Sequence, residues 1–155
     1  MHETLSESFD EHVDFDDVAD RVGAMVADVS TVATQVATRR TGSFGVLDSE
    51  VATPLAMVLT ELMQNSVEHA FGGREGDAAG EILLDAQRSV GRLRVVVTDD
   101  GLGLPAGFDS ETSGNLGLSI VRTLVIGELD GVLEFGPRHD GGQGTTVVLD
   151  IPVKD

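Results

Sequence analysis

Apolar residues recur along this chain with two different periods, and the changes of period mark out its elements. From Phe15 to Val29 the positions Phe15, Val18, Ala19, Val22, Met25 and Val26 fall at helical spacing, with Asp14 placed to cap the helix. Thr31–Arg40 is rich in Val and Thr and alternates, as a strand does. A turn at Thr41–Gly42 and a short strand or loop over Ser43–Leu47 follow. Helical spacing returns after Asp48 or Ser49, either of which can cap, and runs to Phe71. Pro54 lies within the first turns of this helix, where a missing N–H does least harm. Gly72, Gly73 and Gly76 end it and open a flexible loop through Gly80. Glu81–Ser89 and Arg92–Thr98 read as strands joined by a turn near Val90–Gly91, and the run Val95–Val97 suggests a buried central strand. Asp99–Gly114 is a Gly-rich loop. Leu116–Ile126 reads as a helix whose apolar face carries Leu118, Val121, Leu124 and Val125. Gly131–Phe135 is a strand, Pro137–Gly144 a turn-rich loop, and Thr145–Val153 a closing strand. This order predicts an α/β fold in two layers, with a mixed, mostly antiparallel sheet and helices on one face.

One helix interrupts its own apolar pattern. The run LAMVLTELMQNSVEHAF, Leu55–Phe71, puts Glu61, Asn65 and His69 at i, i+4 and i+8, on one face. Leu55, Leu59, Leu62, Met63 and Val67 occupy other faces. A carboxylate, an amide and an imidazole one turn apart would cost free energy if buried without partners. A nucleotide and its metal would supply those partners.

Composition narrows the function. The chain has 155 residues, 41% of them hydrophobic, enough for one domain with a real core. No apolar run is long enough to span a bilayer, and the start, MHETLSESFDEH, is acidic and polar with no secretory pattern. Cysteine is absent, so disulfides and thiolate metal sites are excluded, which suits a reducing, cytoplasmic compartment. The four histidines, His2, His12, His69 and His139, do not have metal-ligand spacing. A net charge of −17 argues against nucleic acid and against an anionic membrane surface as partners. The acidity is concentrated in Met1–Asp20, which holds eight Asp or Glu and no Lys or Arg and reads as a solvated leader. A bound polyanion such as ATP would draw its positive potential mainly from Mg²⁺ and backbone N–H groups.

Three further motifs are ordinary when taken singly. Asp99-Asp100-Gly101-Leu102-Gly103 leaves a buried strand. It is either a turn or a place where the backbone approaches a ligand and an Asp accepts from an exocyclic amine. Ser113-Gly114-Asn115-Leu116-Gly117-Leu118 opens a helix, as an N-cap or as a phosphate site. Gly141-Gly142-Gln143-Gly144-Thr145-Thr146 is a hairpin turn, or else it sets the Thr145 hydroxyl beside a base next to Asp99.

Their order is the stronger signal. ELMQNSVEHAF, VTDDGLGLP, NLGLSIV and GQGTTV resemble, in sequence, the N box, G1 box, G2 box and final Gly-Thr element of the GHKL superfamily of ATP-binding domains. The motif LGLSIVRTLV and the short spacing from N box to G1 box are most similar to two-component sensor histidine kinases with a compact ATP lid. The resemblance covers about Asp14 to Val153. It implies the Bergerat ATP-binding fold over 14–155, with 1–13 as the remnant of a dimerisation helix that includes His2-Glu3-Thr4-Leu5-Ser6. It also implies roles for single residues. Asn65 would ligate Mg²⁺ on the triphosphate, and Glu61 would polarise the nucleophile or hold a metal-bound water. His69 would contact phosphate, and Asp99 would accept from adenine N6. Gly101 and Gly103 would admit base and ribose. Gly117 and Leu118 would offer N–H groups to phosphate, and Thr145 would reach the base through water.

The chain departs from the family pattern at Ser113 and Asn115, which stand where the G2 box often has glycine, and no F box is visible beyond Phe108. His2 and His12 sit in acidic surroundings unlike a phosphoacceptor helix, so the acceptor histidine is expected on a separate dimerisation segment, with a response regulator downstream. A second reading on the same fold is an anti-sigma factor serine kinase, or nucleotide-dependent regulatory module, that sequesters a partner. A third is a nucleotide sensor without transfer activity. The HETLS leader and LGLSIVRTLV favour the kinase over the second, and intact Glu61, Asn65 and Asp99 argue against the third.

Overall fold

Alternating, Val-rich segments pair into one sheet, and two amphipathic helices and part of a third close its apolar side. The computed structural model describes residues 12–29, 36–67, 80–100, 116–137 and 144–153. The elements are β1 (His12–Asp14), α1 (Phe15–Val29), β2 (Val36–Gly42), β3 (Val46–Asp48), α2 (Ser49–Asn65), β4 (Gly80–Ser89), β5 (Arg92–Asp99), α3 (Leu116–Arg122), β6 (Val132–Pro137) and β7 (Thr145–Pro152). A π-helical stretch, Thr123–Glu128, extends α3.

The main sheet has five strands in the order β2-β4-β5-β7-β6. Only β2 and β4 run parallel; the other three pairings are antiparallel. Ile82, Leu84, Ala86, Leu93, Val95, Val97, Val147, Leu149 and Ile151 all point to one side and are buried. Against them pack Phe15, Ala19, Val22 and Val26 of α1, and Ala52, Leu55, Leu59, Leu62 and Met63 of α2. Leu118, Val121 and Val125 fill the third flank. Each Val, Leu, Ile, Phe or Met side chain among them contributes roughly 1.5–3 kcal/mol on leaving water. The mixed, mostly antiparallel sheet with helices on one face is therefore the fold that the hydrophobic pattern predicts.

Several local expectations change. The Val95–Val97 run is not buried on both sides: Val95 and Val97 face the core, and Val96 sits half-buried on the open face beside Val148. A sheet covered on one side needs alternation, and the middle valine is the exception that β propensity tolerates. Asp48 occupies the N-cap position of α2 in extended geometry but makes no capping bond. Its carboxylate instead lies 4.0 Å from His12 Nε2 across the β1–β3 pair. Asp14 ends β1 and abuts α1 directly. Pro54 is the sixth residue of α2, past the orphan N–H groups of the first turn, so the helix forgoes one bond and still continues. The strand expected over Thr31–Arg40 is seen as Val36–Gly42, and Thr31–Gln35 lie outside the described residues. The helix expected over Leu116–Ile126 turns π-helical from Thr123.

The loop from β2 to β3 is clamped from three sides. Asp16 at the start of α1 accepts from Ser43 Oγ and from Phe44 N, both at 2.7 Å. Arg88 of β4 donates to the Phe44 carbonyl at 2.6 Å. The fully buried Phe44 ring meets Phe15 with centroids 4.9 Å apart.

Strand register also decides where the site can be. Val36 pairs with Gly80, Ile82 with Asp99, and Asp99 and Pro137 both lie level with Thr145. The segments 30–35, 68–79, 101–115 and 138–143 therefore all attach at one end of the sheet, the end where α2 also terminates. Among the described residues, Asn65, Asp99 and Thr145 lie at that end.

Candidate nucleotide site

Asp99 is the last residue of the central strand, paired with Ile82 on one side and Thr145 on the other. Alternation after Val95 and Val97 sends its side chain to the helix-covered face. It is only 6% exposed. A carboxylate there needs donors to offset its lost hydration. Two donors are supplied by different elements. Ser66 Oγ donates to Asp99 Oδ2 at 2.9 Å, and the Thr145 backbone N–H donates to Oδ1 at 3.2 Å. Thr145 and Ser66 are themselves buried. Next to this group, Asp100 Oδ1 accepts from Glu81 N at 2.9 Å, which pins the start of β4 to the end of β5.

Helix α2 delivers the other polar groups. Glu61 and Asn65 are one turn apart and half-buried, while Leu59, Leu62 and Met63 point into the core. Asn65 ends the helix, and Ser66 follows in a π-type turn, its N–H donating to Leu62 and Met63 carbonyls. Asn65 is thus adjacent in sequence to the residue that grips Asp99.

The structure brings Asp99 and Thr145 into direct contact, through the Thr145 backbone rather than its hydroxyl. Glu61 and Asn65 are carried to the same end by α2. Gly117 and Leu118 occupy the first turn of α3, and the Leu118 side chain is buried in the core. His69, Gly101 and Gly103 lie outside the described residues, as do Phe108, Ser113 and Asn115. Thr146 points to the opposite face of β7, where its hydroxyl is buried without a hydrogen-bond partner among the described residues.

Sequence reasoning missed Ser66. Its signal was present: Leu55, Leu59, Leu62 and Ser66 step by four, three and four, so Ser66 continues the buried stripe of α2. A hydroxyl on that stripe must find a partner, and the partner is a carboxylate 33 residues away in sequence.

Residues 50–155 match the family described as histidine kinase-, DNA gyrase B- and HSP90-like ATPase. The chain belongs to that family. As a member of an ATPase family it is a nucleotide-binding domain. Over 153 residues the chain is 51% identical to the sensor histidine kinase PdtaS of Mycobacterium tuberculosis, covering 99% of this chain and 30% of that protein. The chain thus spans about a third of the length of the curated relative it matches. The histidine kinase domain of the Erythrobacter litoralis blue-light activated histidine kinase superposes with a TM-score of 0.74 at 31% identity, over 91% of this chain and 62% of that one. The histidine kinase ThkA, solved in complex with the response regulator TrrA, shares the fold with a TM-score of 0.70 at 19% identity, over 92% of this chain and 41% of that one. The chain is therefore homologous to the catalytic region of sensor histidine kinases. No helix among the described residues is long and apolar enough to cross a membrane.

Proposed function

We propose that this chain is the ATP-binding catalytic domain of a sensor histidine kinase. It positions Mg-ATP so that the γ-phosphoryl group passes to a histidine on a separate dimerisation segment, which in turn supplies a response regulator. The observation that carries the reading is the buried Asp99 carboxylate, fixed by Ser66 and Thr145 at the end of the sheet where α2 presents Asn65 and Glu61. A carboxylate in that position accepts from the exocyclic amine of adenine and meets the O6 acceptor of guanine with repulsion.

The donor set suits Mg²⁺. Among the described residues no group of three or more His, Asp or Glu gathers into a metal cage. Mg²⁺ prefers one or two protein oxygens completed by phosphates and water, and the Asn65 side-chain carbonyl can be such a ligand. When bound, the ion spreads the negative charge of the triphosphate. Glu61, one turn earlier, would polarise the attacking imidazole or hold a metal-bound water. His69 and the N–H groups of Gly117 and Leu118 would contact phosphate. Gly101 and Gly103 would let base and ribose approach, and Thr145 would support the base edge. Phosphoryl transfer asks little covalent chemistry of the protein, so positioning and charge stabilisation supply the rate. We place the domain in the cytoplasm, where ATP and a response regulator are available.

The test is transfer in trans. The chain, Mg-ATP labelled at the γ-phosphate and the dimerisation segment of the parent kinase should give acid-labile, base-stable phosphohistidine on that segment. Acid-stable phosphoserine on an added anti-sigma antagonist would replace this reading with that of a serine kinase of the same fold.

A further inference from the structure

Ser66 is a polar side chain that the proposed roles leave unused, yet its hydroxyl lies 2.9 Å from the Asp99 carboxylate. It is 9% exposed and sits in the turn immediately after α2. The Ser66 hydroxyl donates to Oδ2, while the Thr145 N–H donates to Oδ1 from the neighbouring strand. Each oxygen is therefore held by a different element. Turning the carboxylate about its Cβ–Cγ bond would break both bonds at once. A carboxylate can accept about four hydrogen bonds, so two fixed donors set its plane and with it the directions from which a ligand donor is accepted. Thr145 contributes through its backbone and cannot be altered by a side-chain change. Ser66 contributes through a hydroxyl, and hydroxyls are the part of this arrangement that sequence can tune.

We propose that Ser66 is a positioning residue for base selection: its hydroxyl fixes the Asp99 carboxylate in the orientation that accepts the exocyclic amine of adenine. The proposal rests on the reading of Asp99 as the adenine acceptor. It goes further by assigning selectivity to a residue on the opposite layer of the fold, reaching the base only through Asp99. It also gives the π-type turn after Asn65 a purpose. The turn sends the Ser66 side chain to the carboxylate directly after Asn65, so on the proposed reading the metal ligand and the base acceptor are set by adjacent residues.

The experiment compares two nucleotides on two proteins by titration calorimetry at fixed Mg²⁺. ATP carries the exocyclic amine, and purine riboside triphosphate lacks it but keeps the ring, ribose and phosphates. The parent chain should bind ATP about tenfold more tightly than the purine analogue, the size expected of one hydrogen bond to a charged acceptor. Ser66→Ala should lower ATP affinity by about five- to tenfold and leave the purine analogue unchanged, so that the gap between the two nucleotides closes. A purely structural role for Ser66 would weaken both nucleotides together and keep the gap, and that result would overturn the proposal while leaving Asp99 as the acceptor. A parent chain that binds both nucleotides equally would remove the reading of Asp99 itself, and this inference with it. Ser66→Thr keeps the hydroxyl and should keep the gap; a Thr variant that folds, as judged by an unchanged melting transition, and still loses the gap would show that the hydroxyl is not what sets the carboxylate.

Discussion

Asp99→Asn keeps the volume of the side chain and changes what its second atom can do. An amide offers one oxygen and one NH₂ where the carboxylate offers two oxygens. Ser66 Oγ–H and Thr145 N–H point at different oxygens, so one of them must face the new NH₂ donor. ATP affinity should fall by about 1–3 kcal/mol, measured by calorimetry, and GTP should compete poorly with ATP for the parent chain. Equal competition by GTP would mean that the base lies elsewhere. Asn65→Ala removes a side-chain carbonyl at the end of α2. ATP binding should weaken by roughly 1–3 kcal/mol with Mg²⁺ present and much less in a chelator if, as proposed, the lost contact is to the metal rather than to the nucleotide. The same loss in both conditions would count against metal ligation. At this scale the sequence was readable where a polar residue broke a visible rule. Asn65 and Glu61 stand on one face of an apolar helix, and Asp99 ends the strand that carries Val95–Val97. Ser66 breaks the same rule, as a hydroxyl on the buried stripe of α2, but the sequence does not say that its partner is the carboxylate across the core.

At the scale of elements, period carried most of the information. Helix α1 spans the residues that the spacing marks, and strands β4, β5 and β7 begin and end within one or two residues of where alternation starts and stops. The pair β1–β3 was not legible as a pair. Three residues are too short for a period, and their partnership is set by the clamped loop from Ser43 to Gly45 rather than by their own side chains. The π-helical stretch after Arg122 was equally hidden, since Leu124 and Val125 satisfy an α-helical period as well as the wider one. The clamp makes a testable claim about stability. Phe44 is fully buried, meets the Phe15 ring at a tilt of 57° and is held by bonds to both of its backbone groups. Phe44→Ala should cost about 3–5 kcal/mol, seen as a lower urea midpoint with little change in slope. Gly42, next to the clamp, has φ +73°, and a Cβ there would run into the Ala86 carbonyl. A cost below about 1 kcal/mol for Phe44→Ala would show that the loop repacks freely and that the clamp does not organise this end of the sheet.

For the whole molecule, the proposed reading assigns holding the nucleotide and using it to different residues. Asp99, Ser66 and Thr145 form a buried group fixed by the core, and Glu61 lies one turn back on α2, half-buried and outside that group. A residue whose task is to orient the attacking imidazole should affect the chemical step and leave the ground state nearly unchanged. Glu61→Ala should therefore lower the rate of phosphohistidine formation on the dimerisation segment by about 10²-fold or more, the range typical of a positioned acid–base group. ATP affinity, measured on the same protein, should change by less than about threefold. Transfer in trans will be slow even for the parent chain, because separating the two parts removes the high effective concentration that a covalent tether gives. The comparison must therefore be made as single-turnover rates at saturating ATP and equal concentrations of acceptor segment. Under those conditions a loss shared equally between affinity and rate would place Glu61 among the groups that hold the nucleotide. A loss confined to rate, with ATP still discriminated from GTP as in the parent chain, would place it at the transferred phosphoryl group.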